Sequence, residues 1–185
     1  MAQAQGLAAL EARLAQDLAW LELPPKAWIP TKTHDGQAVL DVVVIGGGMA
    51  GLTAATALKM LGIHAVVLDK ASAGQEGPWV TSARMETLRS PKVLTGPALG
   101  LPALTFRAWY EAQFGVAAWD ALDKIPRPQW MDYLRWFRRV MAVDLRNDHA
   151  VEAIEPSNEG HVRLQVRHAG QIGRASCRER VLRLV

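Results

Sequence analysis

The sequence predicts an α/β fold: a parallel sheet with an N-terminal helix and a β-hairpin excursion, in a chain expected to be a piece of a longer protein. Three observations predict it. Val42, Val43, Val44 and Ile45 form an unbroken β-branched run, as in a strand buried on both faces of a parallel sheet. The turn GGGMAG, residues 46–51, leads from that run into a segment rich in small residues, Ala54, Ala55, Ala57 and Leu58, which reads as a helix ending near Gly62. A second apolar run, HAVVLD, closes on Asp69. Strand, glycine turn, helix and strand make a Rossmann-like βαβ unit.

The elements before it follow from periodicity. Leu7, Leu10, Leu14, Leu18 and Leu21 recur at helical spacing, and Pro24 and Pro25 stop the helix. Glu11, Asp17 and Glu22 in this segment, with no basic start, argue against a secretory signal. The 185 residues suit one domain. Half of them are apolar, mean hydropathy is +0.02, and no run is long enough to span a membrane.

The formal charge of +3 is local. Arg174, Arg178, Arg180 and Arg183 stand against Glu179 in residues 172–185, and the acids and bases of the remaining chain balance. An uncharged body gives no electrostatic case for nucleic acid. The single cysteine, Cys177, lies in the same tail. That removes any disulfide framework and predicts a cytoplasmic setting. The five histidines have no metal-ligand spacing, so no metal is expected.

Gly46, Gly48 and Gly51 hold the spacing in which the first glycine permits a tight turn, the second close backbone approach to a pyrophosphate, and the third helix–strand packing. Free N–H groups and the positive end of the helix macrodipole meet the phosphates without any side chain. Asp69 lies 21 residues after Gly48, where a ribose-binding acid is expected. Its charge would repel a 2′-phosphate, so FAD or NAD is preferred over NADP. After Asp69 the chain does not repeat βαβ units but enters residues 70–100, rich in Gly, Pro, Ser and Thr and read as loop.

With these residues in place, the chain resembles the N-terminal part of class B flavin monooxygenases: flavin-containing monooxygenases, Baeyer–Villiger monooxygenases and amino-acid N-hydroxylases. The resemblance covers about residues 39–170. It rests on the glycine motif, on GQEGPWV with Gly77 and Trp79, and on METLRSP, Met85 to Pro91. It implies FAD as cofactor, NAD(P)H as co-substrate and a small-molecule substrate that receives one oxygen atom. It also implies a cofactor site of Gly46, Gly47, Gly48, Met49, Ala50, Gly51, Asp69, Lys70 and Trp79. The family's second glycine motif and later catalytic residues are absent here, so catalytic residues are not assigned. Two alternatives stay open: a flavin-dependent NAD(P)H reductase without oxygen insertion, and a dinucleotide-binding module without turnover.

Downstream, Thr105 is the expected N-cap of FRAWYEAQF, which Gly115 closes. In PRPQWMDYLRWFRRVM, Trp130, Met131, Leu134, Phe137, Val140 and Met141 form a core stripe opposite Arg135, Arg138 and Arg139. Residues 150–170 read as a hairpin, with His161, Arg163, Gln165 and Arg167 alternating with Val162, Leu164 and Val166. The closing IGRASCRERV resembles a translated short-read sequencing adapter. Residues 172–185 are therefore expected to make few core contacts, leaving the hairpin short and a main-sheet edge uncovered. The expected division is residues 1–36 as a helical extension, 37–171 as an incomplete FAD-binding domain, and 172–185 as the tail.

Overall fold

The structure, a computed structural model, describes residues 6–157, 160–177 and 181–183. In chain order the elements are α1 (Leu7–Trp20), β1 (Lys32–His34), β2 (Gln37–Val39), β3 (Val42–Ile45), α2 (Met49–Met60) and β4 (Ala65–Leu68). A 3₁₀ turn (Pro102–Leu104) precedes α3 (Phe106–Phe114), α4 (Val116–Ala121) and α5 (Arg127–Val140). Then come β5 (Leu145–Arg146), β6 (Ala150–Ser157), β7 (His161–His168), β8 (Gln171–Cys177) and β9 (Val181–Arg183). Contacts divide the chain into two compact units: Met1–Leu23 with Trp79–Met141, and Pro24–Pro78 with Ala142–Val185. Among the described residues no helix is long and apolar enough to cross a membrane.

The first unit is helical and is organised around Phe106, which is fully buried. The rings of Trp109, Tyr110, Trp119, Trp130 and Tyr133 surround it with centroids 5.5–6.3 Å away. Such tilted and edge-on pairs add to plain area burial. Thr105 caps α3 as expected, its Oγ1 accepting from Ala108 N at 3.1 Å, and Gly115 ends the helix at φ 83°. On α5 the buried face is wider than the expected stripe, because Tyr133 and Trp136 join it. Burial raises the Tyr133 pKa, and its hydroxyl donates to Leu104 O at 2.6 Å. On α1 only Leu14 is buried. That helix is held through Glu11, whose carboxylate accepts from Trp136 Nε1 and from Arg139.

The second unit carries the sheet. Its four strands are parallel, in the order β5-β4-β3-β9, with α2 connecting β3 to β4. The β-branched run forms β3 as expected. Strands β6, β7 and β8 make a separate antiparallel sheet, the excursion. Val43, Val66, Leu68, Leu164, Val166 and Cys177 form one buried cluster. The β1–β2 hairpin turns on Asp35 and Gly36, both at positive φ, the pattern of a two-residue primed turn.

The tail corrects an expectation. Residues 172–177 are not short of contacts. They complete β8, which pairs with β7 from Val162↔Cys177 to His168↔Gln171, and Cys177 is wholly buried. Leu40 N donates to Ser176 O at 3.0 Å, and β9 pairs with β3 along the expected open edge. The reason is backbone valence. An edge strand presents N–H and C=O groups that any chain of compatible shape satisfies, and Gly173, Ala175 and Ser176 are small. Of the tail, Arg178, Glu179, Arg180, Leu184 and Val185 lie outside the described residues.

Candidate functional site

The ends of β3 and β4 meet at the glycine turn. Ile45 hands over to Gly46, whose φ of 102° lies in the left-handed region open to glycine. Gly46 N donates to Leu68 O at 2.9 Å, tying the turn to the end of β4. A Cβ placed on Gly51 would lie 1.8 Å from Gly46 O, so the first turn of α2 sits directly on the strand end. No side chain caps the start of α2. Met49 and Ala50 are exposed there, and the first-turn N–H groups have no intrahelical acceptor. A Cβ on Gly48 would be in ordinary contact, 3.6 Å, with Gly77 Cα. Gly48 and Gly77 thus pack backbone to backbone beside the start of α2.

Asp69 follows β4 directly and is 7% exposed. Its Oδ2 accepts from Gly47 N at 2.5 Å and its Oδ1 from Ala71 N at 2.7 Å. A carboxylate oxygen has more than one acceptor direction, so these bonds leave capacity for a ligand hydroxyl. The loop after Asp69 is laced to the residues after β5. Asp148 N and Asn147 Nδ2 both donate to Ala71 O at 3.1 Å, and Ser72 Oγ donates to Asp148 Oδ1 at 2.7 Å. Glu76 is 5% exposed, and its Oε1 accepts from Asn147 Nδ2 at 2.6 Å and Gly74 N at 3.2 Å. This arrangement suits a diphosphate at the uncapped helix end, where backbone N–H groups and the macrodipole favour negative charge. Ligands of open parallel sheets sit at such carboxyl ends.

A family model described as FAD-NAD(P)-binding matches residues 43–177. The chain belongs to this FAD/NAD(P)-binding family. The FAD-dependent urate hydroxylase of Xanthomonas campestris pv. campestris is 52% identical over 151 residues, covering 81% of this chain and 32% of that protein. The chain therefore spans about a third of the length of the curated relative it matches. An ornithine N-hydroxylase from Kutzneria sp. 744 superposes with a TM-score of 0.62 at 20% identity, covering 78% of this chain and 37% of that one. The ornithine hydroxylase of Pseudomonas aeruginosa gives 0.63 at 20% identity, covering 75% and 37%. Both likenesses are of fold.

In this FAD/NAD(P)-binding unit Gly46, Gly47, Gly48, Met49, Ala50, Gly51 and Asp69 come together within one turn and its flanking strands. Lys70 is exposed beside them in sequence. Trp79 belongs to the helical unit, where its ring meets Trp130 edge-on at 6.2 Å. Met85–Pro91 is a loop of the same helical unit, fixed by main-chain bonds from Leu88 N to Ile125 O and from Arg127 N to Glu86 O. Next to it Lys92 was not singled out from the sequence. Its ammonium donates to Trp119 O at 2.7 Å and Leu122 O at 2.5 Å, closing the carbonyl end of α4. Glu76 and Asn147 were also missed. The one available signal was an acid set between Gly74 and Gly77.

Proposed function

We propose that the chain is the FAD-binding part of an NAD(P)H-dependent flavoprotein monooxygenase acting on a small molecule. The junction that supports this best is the glycine turn Gly46–Gly51, where the helix start is uncapped and Gly51 admits no side chain. FAD fits these residues. The N–H groups of Met49, Ala50 and Gly51 would hold the diphosphate, and Asp69 would accept from the adenosine ribose while its charge disfavours a 2′-phosphate. Lys70 and Trp79 complete the proposed set. Bound there, FAD would supply two-electron chemistry, taking a hydride from NAD(P)H and reacting with oxygen. The chain's own residues bind, orient and neutralise.

The substrate class to test first is a urate-like purine, because the relative at 52% identity is a urate hydroxylase. The proposed setting is cytoplasmic, with no nucleic-acid role, in line with the neutral body of the chain. The test is flavin content of the purified full-length gene product, followed by NAD(P)H-dependent oxygen consumption with urate. A flavin spectrum with urate-stimulated oxygen uptake is expected. A colourless protein that binds NADP tightly at this site would overturn the reading.

A further inference from the structure

We propose that Glu76 and Asn147 are a positioning pair for the dinucleotide: their hydrogen bond keeps Gly77 packed on Gly48 and so holds in place the glycine turn whose N–H groups receive the diphosphate. The inference rests on the reading of this site as a dinucleotide cradle and adds two residues that do not touch the ligand.

The loop from Asp69 to Gly77 has no regular structure, so something other than a ladder must fix it. Its first half is well anchored. Asp69 N donates to Arg146 O, His149 N to Asp69 O, Asp148 N to Ala71 O, and Ser72 Oγ to Asp148 Oδ1. Toward the far end, Glu76 Oε1 accepts from Asn147 Nδ2 at 2.6 Å, a side-chain link to the residues after β5. Asn147 spans both halves, since the same Nδ2 also donates to Ala71 O at 3.1 Å. A carboxylate is buried only at a cost, and it is retained where hydrogen bonds satisfy it. Here the burial is nearly complete and the residue that follows is Gly77 itself.

Gly77 is at φ 72° and faces Gly48 backbone to backbone. No side chain lies between them to flex and absorb an error, so a small shift of Gly77 bears directly on Gly48 and the turn. An interaction that depends on such placement loses much of its strength when its supporting bonds are removed. Glu76 therefore acts on the ligand through Gly77, and Asn147 acts through Glu76.

The test uses the full 185-residue chain. FAD affinity of the apoprotein is measured by flavin fluorescence titration, beside a thermal melt without ligand, for Glu76→Ala, Asn147→Ala, the double variant, Glu76→Gln and Ser72→Ala. Glu76→Ala and Asn147→Ala should each weaken FAD about tenfold, and the double variant well short of the roughly hundredfold of independent losses, because both break the shared Glu76–Asn147 bond. Glu76→Gln keeps the acceptor oxygen and should stay within about threefold of wild type. Ser72→Ala cuts a lace at the anchored half, so it should lower the melting temperature comparably while leaving FAD affinity within about threefold. Wild-type affinity in Asn147→Ala, or additive losses in the double variant, would overturn the pairing, and Asn147→Ala decides should Glu76→Ala fail to fold. A wild-type chain that takes up neither FAD nor NAD would instead overturn the cradle reading, and the proposal with it.

Discussion

The motif pointed to Asp69 as a ribose acceptor, a role we propose for it, and its place at the end of β4 was legible because spacing along a βαβ unit is local. Its bond to Gly47 N was not legible, since it appears only when the turn closes onto the end of β4, whereas the bond to Ala71 N is a local turn two residues on. Asp69→Ala should therefore destabilise the unliganded chain by about 1–3 kcal/mol, because the buried Gly47 N–H and the half-buried Ala71 N–H lose their acceptor. A melt unchanged from wild type would show that these bonds are dispensable. Cys177 gives a second prediction at this scale. Burial pushes its thiol up to about 11, against a smaller opposing effect of the Val43 backbone. At neutral pH little thiolate forms, so a disulfide reagent should not label Cys177 until the chain unfolds. Glu11 gives a third. Hydrogen bonding from Arg139 holds its carboxyl below the usual range, helped by Trp136 and opposed by desolvation. A lowered folded-state pKa contributes stability above the unfolded value, and that contribution is lost as pH falls through the lowered one. The pair is partly exposed, so Glu11→Gln should cost about 0.5 kcal/mol at neutral pH. The difference from wild type should fade below about pH 4, and a difference independent of pH would refute the assignment.

Elements differed in how readable they were. The unit β3–α2–β4 was legible to within a residue or two, because β-branched residues, a glycine turn and small helical residues all act over short range. Gly51 shows how tight that local logic is. Gly51→Ala puts a methyl 1.8 Å from Gly46 O, so α2 must move off the strand, at a cost of about 3 kcal/mol with loss of bound flavin. An unaltered melt in that variant would sink the account of the third glycine. The leucine stripe of α1 predicted the helix but not the extent of its burial: Leu14 alone is fully buried, Leu7, Leu10 and Leu18 are half-buried, and Glu11 adds a polar attachment. The Asp35–Gly36 turn carried its own signal, yet β1 and β2 are three residues each and too short to show a pattern. The tail was misjudged because side-chain character says little about backbone pairing. Truncation after Gly170 should now cost more than about 2 kcal/mol, since it removes Cys177 from the core and strips the edges of β7 and β3. A truncated chain as stable as the full one would restore the original expectation.

Across the whole molecule, what the sequence could not show is who packs with whom over long separations. Residues up to Leu23 cluster with residues 79–141, and the pair that anchors them, Glu11 and Arg139, is 128 positions apart. Short-range patterns have no access to that. The three-part division at residues 36 and 171 stands as a proposal that limited proteolysis can test. The distribution of tryptophan across the two units has an optical consequence. Six of the seven tryptophans belong to the helical unit, and Trp28 alone belongs to the unit of the glycine turn. Trp28 is largely exposed yet fixed, its Nε1 donating to Leu61 O at 2.8 Å, next to the end of α2. Its emission is that of a wet indole, at longer wavelength than that of the packed rings around Phe106. Collected through a red filter with Trp20 replaced by phenylalanine, the intrinsic light of this chain becomes a gauge of one unit, and the blue light a gauge of the other.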